Sequence, residues 1–144
     1  MANVSVTWQQ EDLLLQAEND TGNKIVLDSG ESVGGKNRGA RPLQLLLMGL
    51  AGCTAMDVIS ILQKMREPLQ DLRVNVAAQQ AGEHPRVFTD IHVEYVVAGD
   101  VKEESVRKAI KLSEDRYCPA NAMLRQAATI TSSYRILPAG PVSA

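Results

Sequence analysis

The chain has 144 residues and a formal net charge of −2, with 44% hydrophobic and 22% charged residues. That is the size of one domain that buries its own core without disulfide staples or a structural metal. The charge excludes a protein that holds nucleic acid by neutralising phosphates, since there is no basic stripe.

The first residues, Met1 to Trp8, lack the basic and continuous apolar segments of a signal peptide. Val4, Val6 and Trp8 alternate with polar residues, and Leu13 and Leu15 continue the pattern, so two short strands are expected with Gln9 to Asp12 between them. Asn19-Asp20-Thr21-Gly22-Asn23 is a strong turn signal, and Lys24 to Leu27 reads as a third strand. Residues 28–41 form a polar loop with four glycines. Its Lys36, Arg38 and Arg41 read by themselves as a solvated cluster.

Pro42 suits the first turn of a helix, where its missing N–H has no partner to lose. The helix is expected from Pro42 to Met65 or Arg66, before Pro68. Its first half is apolar nearly all round, which predicts burial on most sides, in a core or at a subunit interface. Asp57 interrupts the apolar run before it reaches the roughly 20 residues of a membrane span. Gly49 and Gly52 each cost about 1 kcal/mol of helix stability relative to Ala, which is easier to understand if a backbone or a ligand comes close.

Two longer strands follow, about Asp71–Gln80 and Val87–Ala98, joined through Gly82-Glu83-His84-Pro85. In the second, Ile91, Val93, Tyr95 and Val97 share a core face, and Asp90, His92 and Glu94 share a wet one. Asp100 and Glu103 match a helix-capping pattern ahead of a helix that ends near Tyr117. A short helix, Pro119–Ala127, and a strand, Thr129–Ile136, complete the chain. The segregated order of strands and helices predicts an α+β domain of antiparallel sheets. We expect one domain over residues 1–144: a β-meander and loop to residue 40, a central helix over 42–66, and strands and helices over 71–136.

Two cysteines carry most of the chemical information. Cys118 precedes Pro119 at a helix start, where unpaired N–H groups and the helix dipole favour a thiolate. Arg116 and Arg125 lie near it in sequence and can add positive potential. Cys53, in the middle of an apolar helix, reads by itself as core filling, because burial disfavours the thiolate. Two neighbours complicate that reading. Asp57 is one turn later on the same face, either orienting an arginine or marking where the helix turns to solvent, and Gly49 one turn earlier leaves space by the sulfur. The histidines and cysteines lack zinc-like spacing, so no metal is expected. No nucleotide-binding glycine motif or serine-hydrolase elbow is present either.

The segment from Arg41 to Val58, RPLQLLLMGLAGCTAMDV, resembles the first cysteine motif of the OsmC/Ohr family, the osmotically inducible and organic hydroperoxide resistance proteins. Glu114-Asp115-Arg116-Tyr117-Cys118-Pro119-Ala120 resembles the second, and the YhfA-like branch is the most similar. The resemblance implies an α+β fold with a long buried central helix, an intertwined homodimer and active sites at the subunit interface. It implies a cytoplasmic thiol peroxidase acting on organic hydroperoxides or hydrogen peroxide in stress defence. Cys53 matches the attacking cysteine and Cys118 the resolving one, and an external dithiol reductant reopens their disulfide. No cofactor, metal, nucleic acid or membrane is implied. Arg38 or Arg41, with Asp57, would supply electrostatic support. In the peroxidases an acidic residue follows the helix-starting proline; here Leu43 and Gln44 follow Pro42. That substitution keeps two alternatives open: a non-catalytic relative that binds small apolar molecules, and a dimer whose cysteines are only structural.

Overall fold

The computed structural model describes residues 2–142. They form two compact units, with the division between Leu47 and Met48.

In the first unit, β1 (Val4–Trp8), β2 (Leu15–Asn19) and β3 (Lys24–Leu27) pair antiparallel in that order. Leu13 belongs to the β1–β2 connection and not to β2, because Gln10 and Asp12 take positive φ there and bend the chain. The expected turn after β2 is closed by the Asn19 side chain, whose Oδ1 accepts from the N–H groups of Thr21 and Asn23 at 3.1 and 2.8 Å. The following loop passes so close to β3 that a Cβ on Gly39 would collide with the Val26 carbonyl.

Helix α1 runs over Pro42–Lys64. Gln44 Oε1 accepts the Arg41 N–H at 3.0 Å, the reach-back half of a capping box. At the other end Glu67 N–H reaches the Leu62 carbonyl and Arg66 N–H reaches the Gln63 carbonyl. This Schellman closure puts Arg66 in the left-handed region at φ 59°.

Only one stripe of α1 is buried: Leu50, Thr54, Val58 and Leu62, at four-residue spacing. The expectation of burial on most sides therefore does not hold within the single chain, where Met48 and Met56 are exposed, Met56 at 74%. By length and composition α1 has the character of a membrane-crossing helix. Its buried stripe, and the hydrogen bonds of Thr54 to Tyr95 and Ser113, are the behaviour of a core helix.

The second unit adds β4 (Leu69–Gln80), β5 (Phe88–Gly99), α2 (Glu103–Leu112), a π-helical turn (Ser113–Tyr117), α3 (Pro119–Leu124) and β6 (Thr129–Leu137). The α+β class holds, but this sheet is mixed. β4 and β5 are antiparallel, while β6 lies parallel to β5 from Asp90↔Thr129 to Ala98↔Leu137. The physical reason is the connection: β5 returns through two helices, a crossover that leaves the next strand pointing the same way. The core face of β5 is as expected, with Ile91, Val93, Tyr95 and Val97 buried. The expected Asp100 cap of α2 is replaced. Glu67, at the end of α1, accepts the Lys102 N–H at 3.1 Å and the Ser105 hydroxyl at 2.7 Å, and these bonds lower its carboxyl below the usual range.

Candidate active site

The second unit brings Cys53, Asp57 and Cys118 together. Cys118 is the N-cap of α3, in an extended conformation with Pro119 at the first helical position. The wide turn before it fixes its backbone, since Cys118 N–H donates to the Ser113 carbonyl at 2.8 Å. Its Sγ accepts the Asn121 N–H at 3.4 Å, and the residue is only 2% exposed. Cys53, half-buried on α1, lies close enough to act on the Cys118 thiol by hydrogen bonding and by charge. Both thiols are free.

Burial first, and the Cys53 contact second, push the Cys118 thiol up to about 11. The Asn121 N–H pulls the other way and Asp57 adds to the upward push. This corrects the expectation of a thiolate at the start of α3: desolvation outweighs the short helix end. The order of accessibility is also the reverse of the local reading, with Cys53 partly open to solvent and Cys118 enclosed. A Cβ on Gly49 or Gly52 would meet nothing within 4 Å among the described residues, beyond the helix's own neighbouring turns.

Asp57 does not hold an arginine among the described residues. Its Oδ2 accepts the Ser113 hydroxyl at 2.8 Å. Ser113 Oγ is 2.8 Å from Thr54 Oγ1, which is 2.7 Å from the Tyr95 hydroxyl. Tyr95 in turn donates to Glu114 Oε1 at 3.0 Å. Thr54 and Ser113 are buried, and burial raises the Tyr95 phenol far above its ordinary value. Arg125 donates to the Glu114 carbonyl at 3.3 Å, and Arg116 lies over the Tyr117 ring, 5.5 Å from its centroid. Those bonds account for both arginines otherwise than as partners of the thiol.

Arg38 and Arg41 belong to the first unit. Arg38 clasps the loop: its Nε donates to buried Asp28 at 2.8 Å, and its terminal nitrogens meet Glu11 and Asp12 at 3.1 and 3.4 Å. The guanidinium, with the N–H groups of Ser29, Lys36 and Arg38, holds the Asp28 carboxyl well below the usual range, and Asp28 raises Arg38 in return. Arg41 is exposed, lies over Gly30 and makes no ion pair among the described residues.

Sequence reasoning missed Thr54, Tyr95, Ser113 and Glu114. The available signal was Thr54 with Asp57, two polar residues three apart in an apolar helix. Asp57, Ser60, Lys64 and Tyr117 line a cavity of about 470 Å³. Glu114 and Ser132 line another of about 490 Å³, with Arg107, Lys111 and Asp115.

Residues 34–133 match the family model described as OsmC-like protein. The chain is 36% identical to Protein YhfA of Escherichia coli K12 over 135 residues, 93% of this chain and 97% of that protein. A hypothetical protein from Aquifex aeolicus VF5 superposes with a TM-score of 0.85 at 25% identity, covering 97% of this chain and 98% of the other. An organic hydroperoxide resistance protein OsmC from Legionella pneumophila shares the fold, with a TM-score of 0.70 at 15% identity over 93% and 96% of the two chains. Both cysteine motifs fall inside the matched region, and the fold, the family model and the identity to YhfA agree: the chain belongs to the OsmC family.

Proposed function

We propose that the protein is a thiol-dependent hydroperoxide reductase. The observation that carries this reading is the paired placement of Cys53 and Cys118, the first partly open and the second enclosed beside it. Cys53 attacks the peroxide O–O bond and becomes a sulfenic acid while the alcohol, or water, leaves. Cys118 then condenses with it, forming the S–S bond and releasing water, before the sulfur reaches the irreversible acids. An external dithiol reductant reopens the disulfide. Burial of Cys118 suits a resolving thiol, which must survive until a sulfenic acid stands next to it.

The Cys53 thiolate needs positive charge. Arg38 and Arg41 are the candidates, and Arg41 is the one whose guanidinium is not already held by carboxylates. The exposed Leu46, Met48 and Met56 on α1 support a homodimer with its active sites at the interface. Oxidative or osmotic stress defence in the cytoplasm is the setting that fits. The Legionella pneumophila protein of the same fold, an organic hydroperoxide resistance protein, agrees with this substrate class.

Mass spectrometry of the reduced protein after one equivalent of an organic hydroperoxide tests the reading. The expected product is an intramolecular Cys53–Cys118 disulfide. A stable sulfenic or sulfinic Cys53 is expected in Cys118→Ser, and no oxidation of Cys118 in Cys53→Ser. Two intact thiols after treatment would sink the proposal. Leu43, exposed at the start of α1 where the peroxidases carry an acid, favours a second reading as a binder of small apolar molecules. Saturable binding of such a ligand with both thiols unreacted would select it.

A further inference from the structure

Cys53 and Cys118 stand on different elements, α1 and the turn that opens α3. A disulfide between them needs those elements held in register, because its geometry allows Cα atoms only roughly 4.4–6.8 Å apart. One residue bonds both sides. Ser113 donates its hydroxyl to Asp57 Oδ2 at 2.8 Å, and the same oxygen stands 2.8 Å from Thr54 Oγ1. Its carbonyl accepts the Cys118 N–H, also at 2.8 Å. Among the described residues no other one hydrogen-bonds both to α1 and to the Cys118 backbone.

The α1 half of this bridge flanks Cys53. Thr54 follows it directly, and Asp57 lies three residues beyond Thr54 on the same face. Both side chains converge on one oxygen. Cys53 projects about 100° round the helix from Thr54, beside the bridge and not in it.

The other half is the widened turn. In an α-helical turn the Cys118 N–H would go to the Glu114 carbonyl; here it goes one residue further back, to Ser113. In that register the Glu114 carbonyl falls to Pro119, which has no N–H to give, and Arg125 supplies the donor at 3.3 Å. Ser113 is fully buried at the end of α2, so its hydroxyl and its carbonyl are fixed together. We propose that Ser113 is a positioning residue that ties α1 to the Cys118 turn and so holds the two thiols within bridging reach.

Its use in catalysis rests on the hydroperoxide reading above. Once Cys53 is a sulfenic acid, the Cys118 sulfur forms the S–S bond and the Cys53 S–O bond breaks. The hydroxide leaves with the Cys118 proton as water. A second peroxide competes for the same sulfur and carries it to the sulfinic acid, which the reductant does not reverse. An intramolecular step depends steeply on alignment: a misplacement of about 1 Å costs about 100-fold. The bridge therefore sets how the sulfenic acid divides between disulfide and sulfinic acid.

Two measurements read the bridge. The first needs no peroxide: the protein is equilibrated with mixtures of reduced and oxidised dithiothreitol, and the Cys53–Cys118 disulfide is quantified after acid quenching. Ser113→Ala should lower the equilibrium constant for disulfide formation by about tenfold or more. Thr54→Val keeps the side-chain shape and removes one of the two α1 bonds, so it should fall by less. Thr54→Ser keeps the hydroxyl and should stay near the wild type. The double variant Ser113→Ala/Thr54→Val should fall no further than Ser113→Ala, since one bridge is lost once. The second measurement uses excess organic hydroperoxide and takes the ratio of disulfide to sulfinic Cys53 from peptide mass spectrometry. That ratio cancels the rate of the first oxidation and should fall in the same order. Circular dichroism identifies the variants that fold, and the two Thr54 variants carry the test if Ser113→Ala does not. A fall in Thr54→Ser as deep as in Thr54→Val would make packing the cause and overturn the role of the bridge. Variant-dependent equilibria without a peroxide-driven disulfide leave Ser113 as the positioning residue and refute the hydroperoxide reading. A peroxide-driven disulfide with the same equilibrium and ratio in every variant does the reverse.

Discussion

Cys118 titration follows directly from its surroundings. An ordinary thiol with a value of about 9 is roughly one part in a hundred thiolate at pH 7. At about 11, Cys118 is thiolate only about once in ten thousand molecules at that pH. The perturbation is a pH series, with alkylation by iodoacetamide followed at each cysteine by peptide mass spectrometry. The rate at Cys118 should stay flat through neutrality and inflect near 11, whereas the same peptide in denaturant inflects at its ordinary value. Replacing the neighbour, Cys53→Ala, removes the second cause and leaves burial, so the inflection moves down without reaching that value. The folded protein holds this proton more tightly than the unfolded chain. Its contribution to stability is therefore complete below about 9 and drains away as pH rises to about 11. A Cys118 inflection at or below 9 in the folded protein would refute this account, because neither burial nor contact with Cys53 would then be acting.

Arg66 holds a left-handed position at the end of α1 that glycine takes without strain. Arg66→Gly should therefore raise stability by up to about 1 kcal/mol in a denaturant titration. Gly39→Ala drives a methyl into the Val26 carbonyl, and should cost about 1–3 kcal/mol by the same measurement. The Arg38–Asp28 clasp lowers the Asp28 carboxyl, so its contribution is whole above pH about 4 and is lost as pH falls further. Arg38→Met should weaken that acid dependence, leaving the part due to the Ser29, Lys36 and residue-38 N–H groups, and speed hydrogen exchange in residues 28–41 relative to the strands.

Much of the fold is legible in the sequence because it is local. Alternation in Val4 to Trp8 and in residues 88–98, the Asn19–Asn23 turn, Pro42 at a helix start and Cys118-Pro119 at another each reflect contacts within a few residues. The parallel placement of β6 is not legible in that way. Thr129 to Leu137 carries the same pattern in either direction, and only the crossover through α2 and α3 decides it. The capping of α2 escaped for a related reason: Glu67 comes from 35 residues before Lys102.

At the site, the sequence by itself singled out the candidates for chemistry: two thiols in two recognisable motifs, a carboxylate one turn from the first, and two arginines in a loop. Tertiary structure alone decided their states. It enclosed Cys118 beside Cys53 and so cancelled the acidifying effect of a helix start, because desolvation acts through everything packed around a group and a helix end acts only through its own few N–H groups. It gave Arg38 to Asp28, and it tied Asp57 to Glu114 through hydroxyls from α1, β5 and the π-helical turn. Hydrogen bonds between residues 41 to 59 positions apart leave no periodic trace in a sequence; their partners are chosen only when the chain folds.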